Sequence, residues 1–419
     1  MPGARPAPMP PPPARLLDLT RTISRVGRMP TGVDRVERAY LDALLSRPEP
    51  LFALVRTTLG HVLLDPEGVA GIAARLSGAR PWGPADALAR VFARGKPEAV
   101  RQAESDLRRL ARARCRPRGL GRMLARHLPA GTAYLNVGHA HLTAALFRAL
   151  RRVPGARAAV MIHDVIPLEL PECQRPGMAE RFRAMLARVA RHADLVIYNS
   201  ADTRARAEAA MAALAPGARV PHGLTAHLGV PVPVPGTPPP GLGPDRLRRP
   251  YFICVGTIEP RKGHALLLDL WQMLGDGPEV PGLLICGARG WAGPELLARL
   301  DALPPDGPVR ELPGLDDGQI AALMAGSRGL LLPSRAEGFG LPPAEAAALG
   351  VPVLCSDLPA LREVLGKSAV YLDHRDVYQW KQWVQTLAGE QAEKGAARAR
   401  SGFTPPRWED HFNTVLSFT

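Results

Sequence analysis

Four side chains, two acidic and two basic, have the types and spacing that point to chemistry. Glu337 and Glu345 lie in Ser334-Arg-Ala-Glu-Gly-Phe-Gly-Leu-Pro-Pro-Ala-Glu345, and Arg261 and Lys262 are adjacent in Gly256-Thr-Ile-Glu-Pro-Arg-Lys-Gly263. An acid in a loop, an acid on a helix and the free backbone amides of a Gly-Phe-Gly turn suit a ligand rich in hydroxyls that also carries an anion. A guanidinium fork beside an ammonium point charge suits a diphosphate. Together these are the parts needed to hold a sugar nucleotide.

Both stretches fall at strand-loop-helix junctions, and these junctions must position them. Gly329-Leu-Leu-Leu-Pro333 is short enough for a buried parallel strand, and Ala344-Glu-Ala-Ala-Ala-Leu349 is a run of strong helix formers. Pro342 and Pro343 suit the first helical turn, and Gly350 with Pro352 stops the helix. Glu337 is thereby assigned to the loop and Glu345 to the helix. Tyr251-Phe-Ile-Cys-Val255 and the helix opening at His264 bracket the basic loop in the same way. Loops at the carboxyl ends of parallel strands face the crevice where open α/β sheets bind ligands.

The same alternation runs along most of the chain. Strands are expected at 15–20, 51–55, 61–64, 133–137, 158–162 and 195–198 in the first half, with Arg21 to Met29 a polar loop and a helix from Pro30 through Leu45. Residues 71–127 read as helical or irregular. The repeating βα pattern predicts parallel sheets covered on both faces. Pro/Gly-rich residues 229–250 form a linker between residues 15–228 and residues 251–406. Residues 1–14 read as a disordered Pro-rich tail, and 407–418 as an amphipathic helix that folds back onto the first domain. Polar clusters follow three first-half strands: Gly138-His-Ala-His141, His163-Asp164 and Asn199-Ser200. His163 is the best placed of these histidines for a functional role.

Composition narrows the class. At 419 residues with 46% hydrophobic and 22% charged residues, the chain has material for two cored domains. No apolar stretch approaches a membrane span, and the N-terminus lacks a signal-peptide core, so a cytoplasmic location is expected. The five cysteines include no C-x-x-C pair, so neither a zinc site nor a disulfide framework is expected. The net charge of +14 is one-sided: residues 1–250 hold 38 basic and 19 acidic side chains, and the rest 15 and 20. The densest basic stretch, Arg108 to Arg126, suits peripheral contact with an anionic membrane at the inner face. Its bland alternative is an Arg-rich solvated helix.

Glu337-Gly-Phe-Gly-Leu-Pro-Pro-Ala-Glu345 resembles the E-x7-E element of the family 4 glycosyltransferases of GT-B architecture. Gly256-Thr-Ile-Glu-Pro-Arg-Lys, Gly287-Ala-Arg-Gly-Trp, Pro352-Val-Leu-Cys-Ser-Asp-Leu-Pro and Arg362-Glu-Val-Leu-Gly366 follow in family order, with weaker likeness in Thr31-Gly-Val-Asp-Arg35 and His163-Asp-Val-Ile-Pro. The resemblance implies two Rossmann-like domains with parallel sheets facing across a central cleft, and a donor held by the second. It implies that Glu345 binds ribose and Glu337 the donor sugar. Gly256, Thr257, Phe339, Gly340 and Leu341 would line the donor site, with Arg261 and Lys262 on the diphosphate. His163 would reach the reacting centre, and Gly32 would let the first loop approach phosphate or acceptor. Many members have Arg where this chain has Thr257, which leaves Arg261 to supply that charge.

The implied activity is retaining, metal-independent transfer of a hexose from a GDP- or UDP-linked sugar to a glycan or lipid-linked acceptor in bacterial surface polysaccharide synthesis. No cofactor beyond this substrate and no nucleic acid are implied. The subgroup that reads most alike contains bacterial polysaccharide mannosyltransferases, which makes mannose the first choice. Two rivals remain at this level. A nucleotide-sugar epimerase or hydrolase would form product from donor alone, and a basic nucleic-acid- or membrane-binding module would be indifferent to Glu337→Ala.

Overall fold

The computed structural model describes residues 10–218, 220–240, 242, 250–389 and 402–419. Among these residues, segments of three to seven residues, most of them apolar runs, form fourteen strands in two sheets. The first lobe holds β1 (Arg15–Asp18), β2 (Leu51–Thr57), β3 (Gly60–Leu64), β4 (Ala113–Cys115), β5 (Ala133–Asn136), β6 (Arg157–Ile162), β7 (Leu195–Tyr198) and β8 (His222–Thr225). The second holds β9 (Tyr251–Val255), β10 (Gly282–Cys286), β11 (Val309–Leu312), β12 (Gly329–Leu332), β13 (Val353–Ser356) and β14 (Val370–Leu372). The orders are β4-β3-β2-β1-β5-β6-β7-β8 and β11-β10-β9-β12-β13-β14.

Side chains alternate between two helical layers, as the two-residue period of a strand requires. Leu17, Ala159 and Met161 pack on one face with Val36, Tyr40 and Leu41, while Leu16, Val160 and Ile162 pack on the other with Phe147, Leu186 and Val189. The second sheet alternates likewise: Ile253 and Val255 share the first cluster, and Phe252 and Cys254 face Leu267 and Trp271. One apolar cluster therefore runs through both lobes.

Each sheet has a place where the strand order reverses, and these reversals position the site. In the second lobe the chain moves outward from β9 to β10 and β11, then returns to β12 on the other side of β9. Gly329 and Leu330 pair with Phe252 and Ile253, so the loops leaving β9 and β12 emerge side by side. In the first lobe the reversal lies between β1 and β5, which pair in parallel.

Several local expectations are corrected. The first sheet is mixed, because β2 and β3 are antiparallel, as are β3 and β4. The turn at Thr58-Leu59 reverses the chain into Gly60, whose φ of 128° favours glycine, and a Cβ there would lie 2.2 Å from the Cys115 carbonyl oxygen. Thr20–Ser24 is a short helix where a loop was expected. Asp18 accepts from the Thr20 amide at its start, and Arg21 and Arg25 both reach Asp34, which holds the turn closed.

The Arg-rich stretch is not one solvated helix. It passes from the helix Glu98–Arg109 through β4 to a second helix, Leu120–His127. Strand β8 had no apolar run to announce it. Residues 1–9 of the Pro-rich tail lie outside the described residues, but Pro12 and Ala14 are buried, and the Ala14 carbonyl accepts from Ala133. The linker is described in part: 241 and 243–249 lie outside. Gly236 there donates to the Gly318 carbonyl at 2.9 Å. Residues 390–401 also lie outside. The helix Trp408–Leu416 sets His411 against Tyr40 of the first lobe, with 2.8 Å between His411 Nε2 and the Tyr40 hydroxyl. No described helix is long and apolar enough to cross a membrane.

Candidate active site

The loop after β9 turns through the 3-10 segment Pro260–Lys262 and enters its helix at Gly263, whose φ of 72° lies in the left-handed region. A side chain at Gly263 would strike the Pro333 carbonyl oxygen, with a Cβ 2.1 Å away. That close approach ties this loop to the one leaving β12. Arg335 donates its amide to the Arg261 carbonyl at 2.7 Å, and Arg261 donates from a terminal nitrogen to the Ala336 carbonyl at 3.0 Å. Lys262 Nζ then lies 2.7 Å from Glu337 Oε1, and Arg261 lies 3.1 Å from the same oxygen. Arg261 Nε also pairs with Glu259 at 2.7 Å.

Burial would raise the Glu337 carboxyl, but Lys262 and Arg261 override it and push its pKa down to about 2. Glu337 is therefore ionised at neutral pH. Burial lowers the pKa of Arg261, yet Glu337, Glu259 and Asp164 raise it above its ordinary value. Two cations thus face two acids in a largely buried recess, with Asp164 nearby on the other lobe. An incoming diphosphate would compete with Glu337 for Lys262 and Arg261, which frees the carboxylate for the neighbouring hydroxyls.

Glu345 occupies a different position. It is buried in the helix Leu341–Ala348 and ion-paired across the cleft with Arg35 of the helix Gly32–Leu45. Its partner in this structure is a guanidinium of the other lobe, where ribose hydroxyls were expected. Gly32 faces Leu341 of the second lobe, where a Cβ would make an ordinary contact with Leu341 Cδ1 at 3.4 Å. Phe339 is buried against the His227 ring at 6.0 Å. Gly340, at φ 85°, starts the helix. Gly256 leaves room for the Lys262 stem, 3.5 Å from where a Cβ would be, and Thr257 packs its methyl group towards Gly290.

His163 lies at the carboxyl end of β6, 6% exposed. Its Nε2 contacts the Val137 carbonyl at 2.6 Å, and its ring packs at 5.1 Å from His139. Burial lowers its pKa, so the ring is neutral and Nε2 is the donor in that bond. The backbone of His163 meets the second lobe. A Cβ on Gly338 would stand 2.1 Å from the His163 carbonyl oxygen.

Residues to which the sequence reading gave no role close the cleft. Ser200 and Thr203 donate hydroxyls to the Gly338 carbonyl at 2.9 and 3.2 Å, and Arg206 reaches the Glu337 carbonyl at 3.2 Å. Glu363 accepts the Ala201 and Asp202 amides at 2.7 and 3.1 Å, capping a helix of the opposite lobe, and pairs with His227 at 2.8 Å. Trp291 donates to the Cys173 carbonyl at 2.7 Å, and Arg335 meets Glu172 at 2.7 Å. Arg35 had one sequence signal, its place one turn after Gly32. Glu363 had none beyond its motif.

Glu37 in the first lobe is a buried acid beside this cleft. It accepts from Thr22 at 3.0 Å and lies 4.0 Å from Arg21. Burial, opposed by Arg21 and the Thr22 bond and aided by Asp18 and Asp34, raises its pKa to about 8. A folded-state pKa above the ordinary 4.5 means that its contribution to stability is complete below about pH 4.5 and is lost as pH rises towards 8. Glu37→Gln is expected to remove that slope and to be more stable than wild type at pH 8. Denaturant melts across this range check it; parallel profiles for the two proteins would refute the assignment.

Residues 244–388 match the family described as glycosyl transferases group 1. The serotype-specific mannosyltransferase WbdA of Escherichia coli is 34% identical over 230 residues, 52% of this chain and 28% of that protein. O-antigen chain mannosyltransferase B of the same organism is 37% identical over 128 residues, 30% of this chain and 34% of that one. The chain spans about a third or less of the length of these relatives. Among solved structures, Anabaena Alr3699/HepE in complex with UDP-glucose superposes with a TM-score of 0.60 at 15% identity, covering 96% of this chain and 95% of that one. Sucrose-phosphate synthase from Thermosynechococcus elongatus gives 0.51 at 16%, covering 72% and 75%. These likenesses establish the fold, two Rossmann-like lobes in the GT-B arrangement.

Proposed function

We propose that this chain, whose residues 244–388 are a group 1 glycosyl transferase domain, transfers a mannosyl residue from a nucleotide-diphosphate sugar to a growing or lipid-linked bacterial surface glycan. The observation that carries the reading is the contact of buried Lys262 and Glu337 with half-buried Arg261 at the reversal between β9 and β12. The names of the relatives support mannose and a polysaccharide product. The reading includes retention of anomeric configuration, no requirement for a metal, and peripheral contact of the basic first half with an anionic membrane.

In the reaction, the bond from the anomeric carbon to the diphosphate oxygen breaks, the oxygen of an acceptor hydroxyl takes its place, and the hydroxyl proton passes to the departing diphosphate. Negative charge grows on the leaving diphosphate while positive charge grows on the sugar. Lys262 and Arg261 stabilise the first, and Glu337 the second. Glu345 exchanges Arg35 for the ribose hydroxyls, which couples donor entry to the contact between the lobes.

A thermal-shift panel of GDP, UDP, GDP-mannose and UDP-glucose tests donor recognition. A ligand at 100 times its dissociation constant is expected to stabilise the fold by about 2.7 kcal/mol. The strongest member identifies the base and sugar. Absence of a shift with every nucleotide diphosphate would sink the proposal.

A further inference from the structure

The outer edge of the first sheet carries uncompensated charge beside exposed apolar surface. Strand β4 is that edge; Arg114 lies in it and Arg112 and Arg116 flank it, alternating with Ala113 and Cys115. Ala113 and Cys115 pack against the core, while the three arginines are exposed, as is Arg118 in the following turn. None of these four has an ion-pair partner among the described residues. The nearby acids are already engaged: Asp86 pairs with Arg108 at 2.6 Å, and Glu98 pairs with Arg101.

Next to this stripe lies the helix Ala87–Phe92. Its Ala89 is buried, while Leu88, Val91 and Phe92 stand 43%, 53% and 59% exposed. The i, i+3, i+4 spacing places those three on one face. Leu88, Arg114 and Arg116 line one hollow of about 220 Å³, whose wall also includes His61 and Arg108. Arg90 and Arg94, exposed on and just after the helix, donate only to backbone carbonyls, those of Ala85 and Arg90.

We propose that this edge is the surface by which the protein sits on an anionic bilayer. Leu88, Val91 and Phe92 enter the interfacial layer, and the arginines of β4 meet lipid phosphates around the hollow. Apolar side chains rimmed by unpaired arginines match a surface that is apolar below and anionic at its face. A lone arginine stripe would be explained by the need to keep an edge strand from pairing with another chain. That need does not account for Val91 and Phe92, which leave apolar surface in water. The proposal rests on the peripheral-contact part of the function given above and names the surface responsible.

Sedimentation of the full chain with vesicles tests it, using phosphatidylcholine alone and phosphatidylcholine mixed with phosphatidylglycerol. Binding is expected only to the mixed vesicles and is expected to weaken with salt. Arg114→Gln with Arg116→Gln is expected to reduce partitioning about 30-fold, at about 1 kcal/mol per basic residue near an anionic surface. Val91→Ser with Phe92→Ser is expected to reduce it about tenfold or more. Nucleotide diphosphate shifts should be unchanged in both double variants, which shows that each is folded.

Vesicle binding that survives either pair, or no binding by wild type, overturns the assignment. So does a single-stranded oligonucleotide that binds through the arginines while ignoring the serine changes, since the stripe would then belong to nucleic acid. Loss of vesicle binding with nucleotide shifts intact would leave the donor site standing. Absent nucleotide shifts with vesicle binding intact would remove the catalytic reading and keep this surface.

Discussion

Glu337→Gln is expected to lower the rate of sugar transfer by about 10²- to 10³-fold, the cost typical of removing one preorganised group aimed at charge that develops in a transition state. The amide keeps the shape of the side chain and removes the charge. Because Glu337 contacts both Lys262 and Arg261, its loss also removes a competitor for those cations. Nucleotide diphosphate is therefore expected to bind at least as tightly to the variant, so kcat falls while product affinity does not. Single-turnover kinetics with a thermal-shift titration separates the two. A variant with unchanged kcat would show that the carboxylate is structural.

The same substitution has a signature in acid. The Glu337 carboxyl is held at about 2 against an ordinary 4.5. A depressed acid contributes stability above about pH 4.5 and loses it as pH falls towards 2. That contribution is on the order of 3 kcal/mol. The variant is expected to be less stable at pH 7 by a comparable amount and to lack this part of the acid limb.

Gly338→Ala is the second large effect. The added methyl would meet the His163 carbonyl oxygen at 2.1 Å and Asp164 Cβ at 3.1 Å. Both belong to the opposite lobe and are held by the sheet behind them, so the loop carrying Glu337 must retreat. Its retreat also strains the bonds that the Gly338 carbonyl accepts from Ser200 and Thr203. A misplacement of about 1 Å at a catalytic group can cost about 10²-fold in rate, and that loss is expected here. Gly293→Ala is the control: Gly293 has an ordinary φ of −63°, and a Cβ there would meet open space. Amide exchange along 199–206 should quicken in Gly338→Ala and stay unchanged in the control. Full activity in Gly338→Ala would mean that turnover does not require the lobes to close at this point.

Much of the second lobe was legible because its four central strands are buried on both faces and read as short apolar runs, each followed by a helix. Two such junctions place Arg261, Lys262 and Glu337 at strand ends from local pattern alone. The first lobe was harder to read. Strand β8 (His-Gly-Leu-Thr) has no apolar period, the helix Thr20–Ser24 depends on Arg21 and Arg25 reaching Asp34, and the antiparallel edge follows from a turn at Thr58-Leu59 with no strong hairpin signature.

By itself, then, the sequence determined the strand-loop-helix rhythm, the two lobes and the basic and acidic loops of the second, because side-chain period and turn chemistry act over a few residues. Only the tertiary structure decided who partners whom. Arg35 meets Glu345 across 310 residues, and Glu363 caps a helix that begins at Ala201. Such pairs depend on how two sheets are brought face to face, and that placement depends on burial shared across the whole interface between the lobes.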